Sequence, residues 1–169
     1  MMSIVLIGFM GAGKTTVAQT LAKTYSLDFA DTDLQLGRQF AQPAGDLLRR
    51  VGEDQFREYE YQVMQQMLAD ATPIIATGGG IIESPASRVL LQQEKKVIWL
   101  NVDYQTCWSR IAGDQTRPLA TKLSSSELQE RFKVRQKYYR QVADLEISAT
   151  KKSPQQLAQE IWRLTNIRD

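Results

Sequence analysis

One stretch near the start of the chain constrains the possible folds more than any other. The apolar segment 4–7 is followed directly by the run Gly8-Phe9-Met10-Gly11-Ala12-Gly13-Lys14-Thr15. This order fits the spacing of a P-loop between a strand and a helix, where successive backbone N–H groups surround phosphate oxygens. The helix that begins near Lys14 would direct the positive end of its dipole at the same oxygens. The segment predicts a nucleotide-binding chain in which Lys14 reaches the outer phosphates and Thr15 offers a magnesium ligand.

Short β-rich runs alternate with helical stretches along the chain, which predicts an α/β fold with a five-stranded parallel sheet covered on both faces. The predicted strands cover 2–7, 28–31, 73–77, 96–102 and 144–148. The predicted helices cover 14–25, 32–41, 44–69 with a break near Gly52, 84–93, 104–112, 125–142 and a last segment that begins at Ser153-Pro154. In that last segment, Ser153 can cap the helix and Gln156 can close a capping box. The length of 169 residues suits a single domain over 1–169.

Composition excludes several classes of function. The chain has 21 basic and 19 acidic residues, so its net charge of +2 gives no strong field for nucleic acid or an anionic membrane. Histidine is absent, which removes every His-dependent triad, metal site and general base. Cys107 is the only cysteine, so we expect a small core residue and a reducing compartment. Because no apolar run approaches the roughly 18 residues of a membrane span, we expect a soluble cytoplasmic protein.

The connection 113–124 has little apolar content and is predicted to form a lid over the nucleotide. Ser124 and Glu127 have the spacing of a capping box, so the lid is expected to end where the next helix begins. Arg117 within it could close on the transferring phosphoryl group as an arginine finger supplied by the same chain. Arg110 is a candidate for contact with the nucleotide base.

Two carboxylates follow the second predicted strand, in the sequence Asp31-Thr32-Asp33. The carboxyl ends of the strands border the ligand crevice in an open parallel sheet, so both acids are expected to face the P-loop. Alternate residues of an extended segment point the same way, which would place both carboxylates on one side, one near magnesium and the other near an acceptor hydroxyl. The alternative is a turn in which Asp33 caps the next helix.

Charged residues interrupt the apolar faces of two predicted helices. Arg57 and Glu60 either form a local ion pair, or Glu60 holds Arg57 so that its guanidinium is presented to an anionic ligand. Arg135 lies in the middle of the apolar stripe of helix 125–142 and either extends its charge to solvent or joins Arg57 in binding a carboxylate. The run Gly78-Gly79-Gly80 follows another strand and suits close approach of the backbone to a ligand. A tight connection from strand to helix is the alternative for that run.

Taken together, these motifs resemble those of the shikimate kinases over nearly the whole chain. The P-loop alone is generic, whereas its combination with the other motifs in the same order is specific to that family. The matching segments are the P-loop at 8–15, Asp-Thr-Asp at 31–33, Gly52-Glu53 with Phe56-Arg57 and Glu60, the three glycines at 78–80, Arg117-Pro118-Leu119, and Arg135 with Tyr139 and Ala143-Asp144.

The resemblance implies transfer of the ATP γ-phosphate to the 3-hydroxyl of shikimate by a cytoplasmic monomer. It also implies a three-layer P-loop kinase fold like that of nucleoside monophosphate kinases, with a substrate-binding helical segment at about 32–61. The implied partners are ATP and shikimate, with Mg²⁺ held by Thr15 and, through water, Asp31. The implied ATP-binding residues are Gly11, Ala12, Gly13, Lys14, Thr15, Thr16, Arg110, Arg117 and Pro154. The implied substrate-binding residues are Asp33, Arg57, Gly78, Gly79, Gly80 and Arg135. Lys14, Asp33 and Arg117 would be catalytic.

The chain departs from the family pattern at Gly37, where an acidic residue is usual, and near Ala44-Gly45-Asp46, where Ser-Ile is usual. These departures bear on the packing of the substrate-binding segment and leave the implied site unchanged. The competing enzyme readings are a gluconate-type kinase, whose expected histidine is missing, and a nucleoside monophosphate kinase. A nucleotide-binding regulator without catalysis is the alternative from another class. Turnover with a panel of acceptors would separate them.

Overall fold

The computed structural model describes residues 2–115 and 121–166. Its strands form one sheet in the order β2-β3-β1-β4-β5, and each neighbouring pair is parallel. Val5 in the central strand pairs with Ile75 on one side and with Val97 on the other. The strands are β1 Ile4–Ile7, β2 Phe29–Asp31, β3 Ile74–Ala76, β4 Val97–Asn101 and β5 Leu145–Ser148. The predicted five-stranded parallel sheet is confirmed, with each strand one or two residues shorter than predicted.

Helices connect the strands at the predicted positions. They are α1 Lys14–Tyr25, α2 Thr32–Phe40, α3 Ala44–Val51, α4 Glu53–Ala69, α5 Pro85–Gln92, α6 Tyr104–Ile111, α7 Ser125–Val142 and α8 Pro154–Asn166. A short 3-10 helix at Ile81–Glu83 was not predicted. Gly52 separates α3 from α4 with a φ of 81°, which confirms the predicted break. No helix in these two described ranges is long and apolar enough to cross a bilayer.

Local side-chain signals set the ends of two helices. Ser124 Oγ accepts from the backbone N–H of Glu127, whose carboxylate accepts in return from the backbone of Ser124. Ser153 and Gln156 make the same reciprocal pair before α8. Both predicted capping boxes are confirmed. The far edge of the predicted lid is therefore the start of α7, while Arg117 lies outside the described residues.

Two hydrophobic cores cover the faces of the sheet. Because strand side chains alternate, Ile4 and Leu6 pack on one core while Val5 and Ile7 pack on the other. The first core also receives α1, α6 and α8, and Cys107 lies fully buried within it, as predicted. The second receives α2, α3, α4 and α5, and α7 contributes to both cores, with Leu128 and Phe132 on the first and Tyr139 and Val142 on the second. The result is a three-layer architecture in which β1 lies at the centre.

The topology places the loops that carry the motifs at one edge. The order of the strands reverses direction at β1, and in open parallel sheets ligands bind at such a switch point, outside the carboxyl ends of the strands. The P-loop leaves β1 at this edge, Asp31 ends β2, and the three glycines 78–80 follow β3.

Candidate active site

Two adjacent cavities open at this edge of the sheet. The smaller has a volume of about 230 Å³ and is bordered by the P-loop and the start of α1. The larger has a volume of about 510 Å³ and lies among α2, α3, α4 and the triple glycine. Asp33 and Gly79 line both cavities. The two spaces therefore share a wall.

The P-loop has the backbone conformation that phosphate binding requires. Gly11 and Gly13 adopt φ values of 81° and 87°, which strain any residue with a side chain. A Cβ at Gly11 would also lie 2.7 Å from the carbonyl oxygen of Cys107. The buried Lys14 Nζ donates to the carbonyl oxygens of Gly8 and Phe9, at 2.8 and 3.0 Å. The ammonium group is thus held against the loop itself, beside the smaller cavity.

Asp31 links the P-loop helix to the next helix. Its Oδ2 accepts from Thr15 Oγ1 at 2.6 Å, and its Oδ1 accepts from the backbone N–H groups of Asp33 and Leu34. Asp31 is therefore the residue that caps α2, so the prediction that Asp33 could serve as the cap is wrong. The predicted extended geometry is also wrong, because α2 begins at Thr32 and Asp33 lies in its first turn. Both acids nevertheless line the smaller cavity.

The oxygens of Thr15 and Asp31 fit a magnesium ion. Mg²⁺ prefers hard oxygen donors and is usually held by one or two carboxylates together with water and substrate phosphates. A hydroxyl and a carboxylate already 2.6 Å apart beside the phosphate loop supply that donor set. The described ranges contain no cluster of three or more His, Cys, Asp or Glu residues that could form a complete protein cage for a metal.

The remaining predicted ATP residues divide into two groups. Thr16 and Arg110 line the smaller cavity, and Arg110 Nη1 donates to the carbonyl oxygen of Gly11 at 2.9 Å. Asp114 also lines this cavity, although its sequence context had suggested only a lid residue. Ala12 is buried, with its N–H directed to the carbonyl oxygen of Phe9. Pro154 begins α8 and is not among the residues that border the cavity.

The larger cavity brings together the two predicted arginines. Arg135 is fully buried, which excludes the interpretation that its side chain extends to solvent. Its Nη1 donates to the carbonyl oxygen of Gly79, while its Nη2 has no hydrogen-bond partner in the described part of the chain. Arg57 forms an ion pair with Glu60, and its Nε is buried without a partner there. Both guanidinium groups thus keep buried donor capacity at the wall of one cavity.

Glu60 is the most buried carboxylate of this group. Burial raises its pKa to about 7 although Arg57 opposes the shift, and the charge of Asp33 raises that pKa further. One of its oxygens is paired with Arg57, and the other has no hydrogen-bond partner among the described residues. Glu60 and Arg57 therefore form the ion pair that their spacing predicts, and the pair lines the cavity as the second interpretation requires.

Each glycine of the triple run makes room for a different part of the site. A Cβ at Gly78 would overlap Glu60 Oε1, and one at Gly80 would overlap the guanidinium of Arg57. A Cβ at Gly79 would lie 2.8 Å from the backbone nitrogen of Met10 in the P-loop. The run therefore accommodates side chains and backbone of the protein, and all three glycines also border the larger cavity.

Four supporting residues were missed as site residues by sequence reasoning. Glu83 contacts three arginines, Arg131 joins Glu83 to Glu53, Thr32 Oγ1 accepts from the N–H of Gly78, and Tyr139 donates to Gly79 at 2.7 Å. Arg131 could have been found, because it lies four residues before Arg135 on the same helical face. Glu83 lies on a 3-10 turn that gives no periodic signal.

The geometry agrees with comparisons to known proteins. A family model described as shikimate kinase matches residues 10–166. A shikimate kinase of Lactococcus lactis subsp. cremoris (strain MG1363) is 42% identical over 162 residues, covering 95% of this chain and 96% of that protein. A solved structure described as shikimate kinase from Acinetobacter baumannii in complex with shikimate has a TM-score of 0.93 at 30% identity, covering 100% of this chain and 95% of the other.

A more distant solved structure extends the likeness of the fold. Deoxyadenosine kinase from M. mycoides has a TM-score of 0.66 at 15% identity, with 99% of this chain and 100% of the other covered. At that identity the match shows the fold alone, and it agrees with the predicted likeness to nucleotide kinases. The family model and the relative from Lactococcus lactis match nearly the whole chain and show more than the fold. The chain belongs to the shikimate kinase family.

Proposed function

We propose that this chain transfers the γ-phosphoryl group of ATP to the 3-hydroxyl of shikimate, with ATP in the smaller cavity and shikimate in the larger. The observation that carries the proposal is the pair of guanidinium groups, Arg57 and Arg135, with buried donor capacity at the wall of a cavity that adjoins the P-loop. Two such groups suit a carboxylate, which accepts charge-assisted hydrogen bonds from both.

On the nucleotide side, the backbone N–H groups of the P-loop and the start of α1 would hold the phosphates. Lys14 would leave the loop carbonyls and contact the outer phosphates, where its charge stabilises the transition state. Thr15 and, through water, Asp31 would hold Mg²⁺. When bound, that ion would neutralise charge that develops on the phosphate oxygens. Gly11, Ala12, Gly13, Thr16, Arg110, Arg117 and Pro154 complete the ATP-binding set.

On the acceptor side, Asp33 borders both cavities and is the carboxylate best placed to orient the hydroxyl. It would accept the hydroxyl proton as the oxygen attacks phosphorus, which is the role of the catalytic-loop aspartate in protein kinases. The glycines 78–80 would contact the hydroxyl edge of the ring. The role of Arg117 as an arginine finger rests on the sequence alone, as do the assignments to a monomer and to the cytoplasm.

A coupled assay of ATP consumption tests the proposal. We expect turnover with shikimate and none with gluconate or nucleoside monophosphates, and ³¹P NMR should identify the product as the 3-phosphate. Preference for gluconate or a nucleotide would replace the proposed acceptor. A chain that binds ATP and phosphorylates none of these acceptors would instead be a nucleotide-binding regulator.

A further inference from the structure

One carboxylate outside both cavities contacts three arginines. Glu83 ends the 3-10 helix that follows the triple glycine. Its Oε1 accepts from Arg135 Nε at 2.9 Å and from Arg131 Nε at 3.0 Å, and its Oε2 accepts from Arg57 Nη2 at 3.3 Å. The two arginines assigned to the substrate carboxylate are therefore joined through a single acidic side chain.

The contacts of Glu83 determine which donors remain for a ligand. Arg135 uses Nε for Glu83 and Nη1 for Gly79, so its Nη2 is left. Arg57 uses Nη1 for Glu60 and Nη2 for Glu83, so its Nε is left. Rotation of either guanidinium would exchange the occupied nitrogens for the remaining ones. Glu83 thus holds both groups in the orientation that keeps one donor of each available.

Charge compensation supports the same role. Two guanidinium groups at the wall of one cavity repel each other, and burial strengthens that repulsion. Glu83 lies between them with a side chain that is 21% exposed. Burial acts to raise its pKa. The three arginines outweigh that effect, so the pKa of Glu83 lies below the ordinary value of a glutamate and the group stays ionised.

A second pair restrains Glu83 from the opposite side. Arg131 donates to Glu53 at 2.6 and 3.2 Å while its Nε holds Glu83. Glu53 begins α4, the helix that carries Arg57, whereas Arg131 and Arg135 lie on α7. The chain of contacts Glu53–Arg131–Glu83 therefore connects both helices that supply the substrate arginines. Neither Arg131 nor Glu83 lines the larger cavity, so each can affect a ligand there only through other residues.

We propose that Glu83 is a positioning residue for recognition of the substrate carboxylate, acting through Arg57 and Arg135 and restrained by Arg131. This inference rests on the proposed function, because it requires that the two arginines bind that carboxylate. It predicts a defect in acceptor affinity rather than in phosphoryl transfer.

The central variant is Glu83→Gln, which keeps the length of the side chain and removes its charge. Its amide nitrogen faces donors and cannot accept from them, so one or both arginines would reorient. We expect the dissociation constant for shikimate to rise about tenfold, as for the loss of one charge-assisted hydrogen bond. ATP affinity and kcat at saturating shikimate should stay within about twofold of the parent enzyme.

Glu58→Gln is the matched control. Glu58 lies on α4 next to Arg57, is exposed, and accepts a hydrogen bond from Gln62 at 2.9 Å. The substitution makes the same chemical change on the helix that carries Arg57, and it leaves the contacts of Glu83 with its three arginines in place. Its shikimate and ATP affinities should equal those of the parent.

Shikimate methyl ester distinguishes positioning from a general structural role. Calorimetry would measure both ligands, and thermal melting would verify that each variant is folded. Because the ester lacks the carboxylate, Glu83→Gln should weaken binding of shikimate and leave the already weak binding of the ester unchanged. Equal losses for the acid and the ester would overturn the proposal.

Glu83→Asp repeats the test with the charge kept and the reach shortened by one methylene, and it replaces the Gln variant if that fails to fold. Shikimate binding within twofold of the parent in the folded variants would overturn the inference. Arg57→Ala and Arg135→Ala, measured in parallel, separate the two levels of the argument. If both lose shikimate while the Glu83 variants do not, only the positioning role fails. If neither loses it, the carboxylate assignment fails and the inference fails with it.

Discussion

The two cavities differ in the kind of groups that face them. Along one side, the smaller is lined by consecutive residues of the P-loop and the start of α1, including Lys14, while side chains such as Asp31 and Arg110 complete its wall. The larger is lined by charged side chains from separate elements, since Asp33 lies on α2, Arg57 and Glu60 on α4, and Arg135 on α7. In the smaller cavity, the backbone N–H groups of the P-loop provide most of the positive potential. In the larger cavity, charged side chains provide it.

This difference between the cavities predicts that one governs the rate of phosphoryl transfer and the other governs the affinity for shikimate. Backbone N–H groups are held by the strand and helix around them, so one lysine added to them can act on charge that appears during the reaction. Buried arginines are costly to desolvate and need partners to compensate them, so their number and orientation govern how well an anion binds. We therefore expect substitutions around the smaller cavity to lower turnover and those around the larger to weaken shikimate binding.

The largest effect should follow Lys14→Ala. The change removes the ammonium group beside the outer phosphates and should lower kcat by at least about 10³-fold. Lys23→Ala, at an exposed position of the same helix, is the control and should be neutral. Steady-state kinetics on protein shown by circular dichroism to be folded would check this. An enzyme with near-normal turnover would break the assignment of the smaller cavity.

Asp33→Asn tests the wall between the cavities. The substitution keeps size and removes charge, and kcat should fall on the order of 10²-fold while ATP binding is retained. Asp28→Asn, at an exposed position before β2, provides the comparison. Turnover within a few-fold of the parent would leave Asp33 without a catalytic role.

Arg135→Lys sharpens the affinity side of the comparison. Lysine retains the charge and loses the planar set of donors, so the dissociation constant for shikimate should rise about tenfold while ATP affinity is unchanged. Arg140→Lys on the same helix is the control, because Arg140 is exposed, borders neither cavity, and contacts Gln136 and the ring of Trp99. An equal loss of ATP affinity would show that the two cavities are not separable in this way.

The smallest effect concerns pH. The pKa of Glu60 is raised to about 7, so its carboxyl group is neutral below that pH and ionised above it. An ionised Glu60 competes with the substrate carboxylate for Arg57. Shikimate affinity should therefore fall a few-fold between about pH 6 and 8 and be accompanied by proton uptake on binding. Calorimetry in buffers of different ionisation enthalpy measures that uptake. Glu60→Gln should flatten the profile, and a parent profile that is already flat would contradict the expectation.

Features made by residues close together in the sequence could be predicted more completely than features made by distant residues. The P-loop and both capping boxes join residues within a few positions of each other, and their side chains or backbone groups lie as predicted. The start of α2 at residue 32 was predicted, but the choice of Asp31 rather than Asp33 as its cap was not, because either carboxylate could accept from N–H groups of a first turn.

The larger cavity was harder to predict because its contacts span the chain. Arg57 and Arg135 were identified as interruptions of apolar stripes, and the full burial of Arg135 and the 12% exposure of the Arg57 side chain agree with that pattern. Glu83 lies 26 residues from Arg57 and 52 from Arg135, so no local spacing connects them. The need for an acid could be inferred from two inward arginines, but its position depends on how the 3-10 helix meets α7.

The wall formed by Gly79 and Asp33 has a stereochemical consequence. Gly79 contributes only backbone where the cavities meet, and a Cβ there would push against the nitrogen of Met10. A phosphorus atom on one side and a hydroxyl oxygen on the other would therefore be close enough for a single in-line displacement. Such a displacement inverts the configuration at phosphorus. ATP made chiral at its γ-phosphate with oxygen isotopes should accordingly yield a phosphate ester of the opposite handedness.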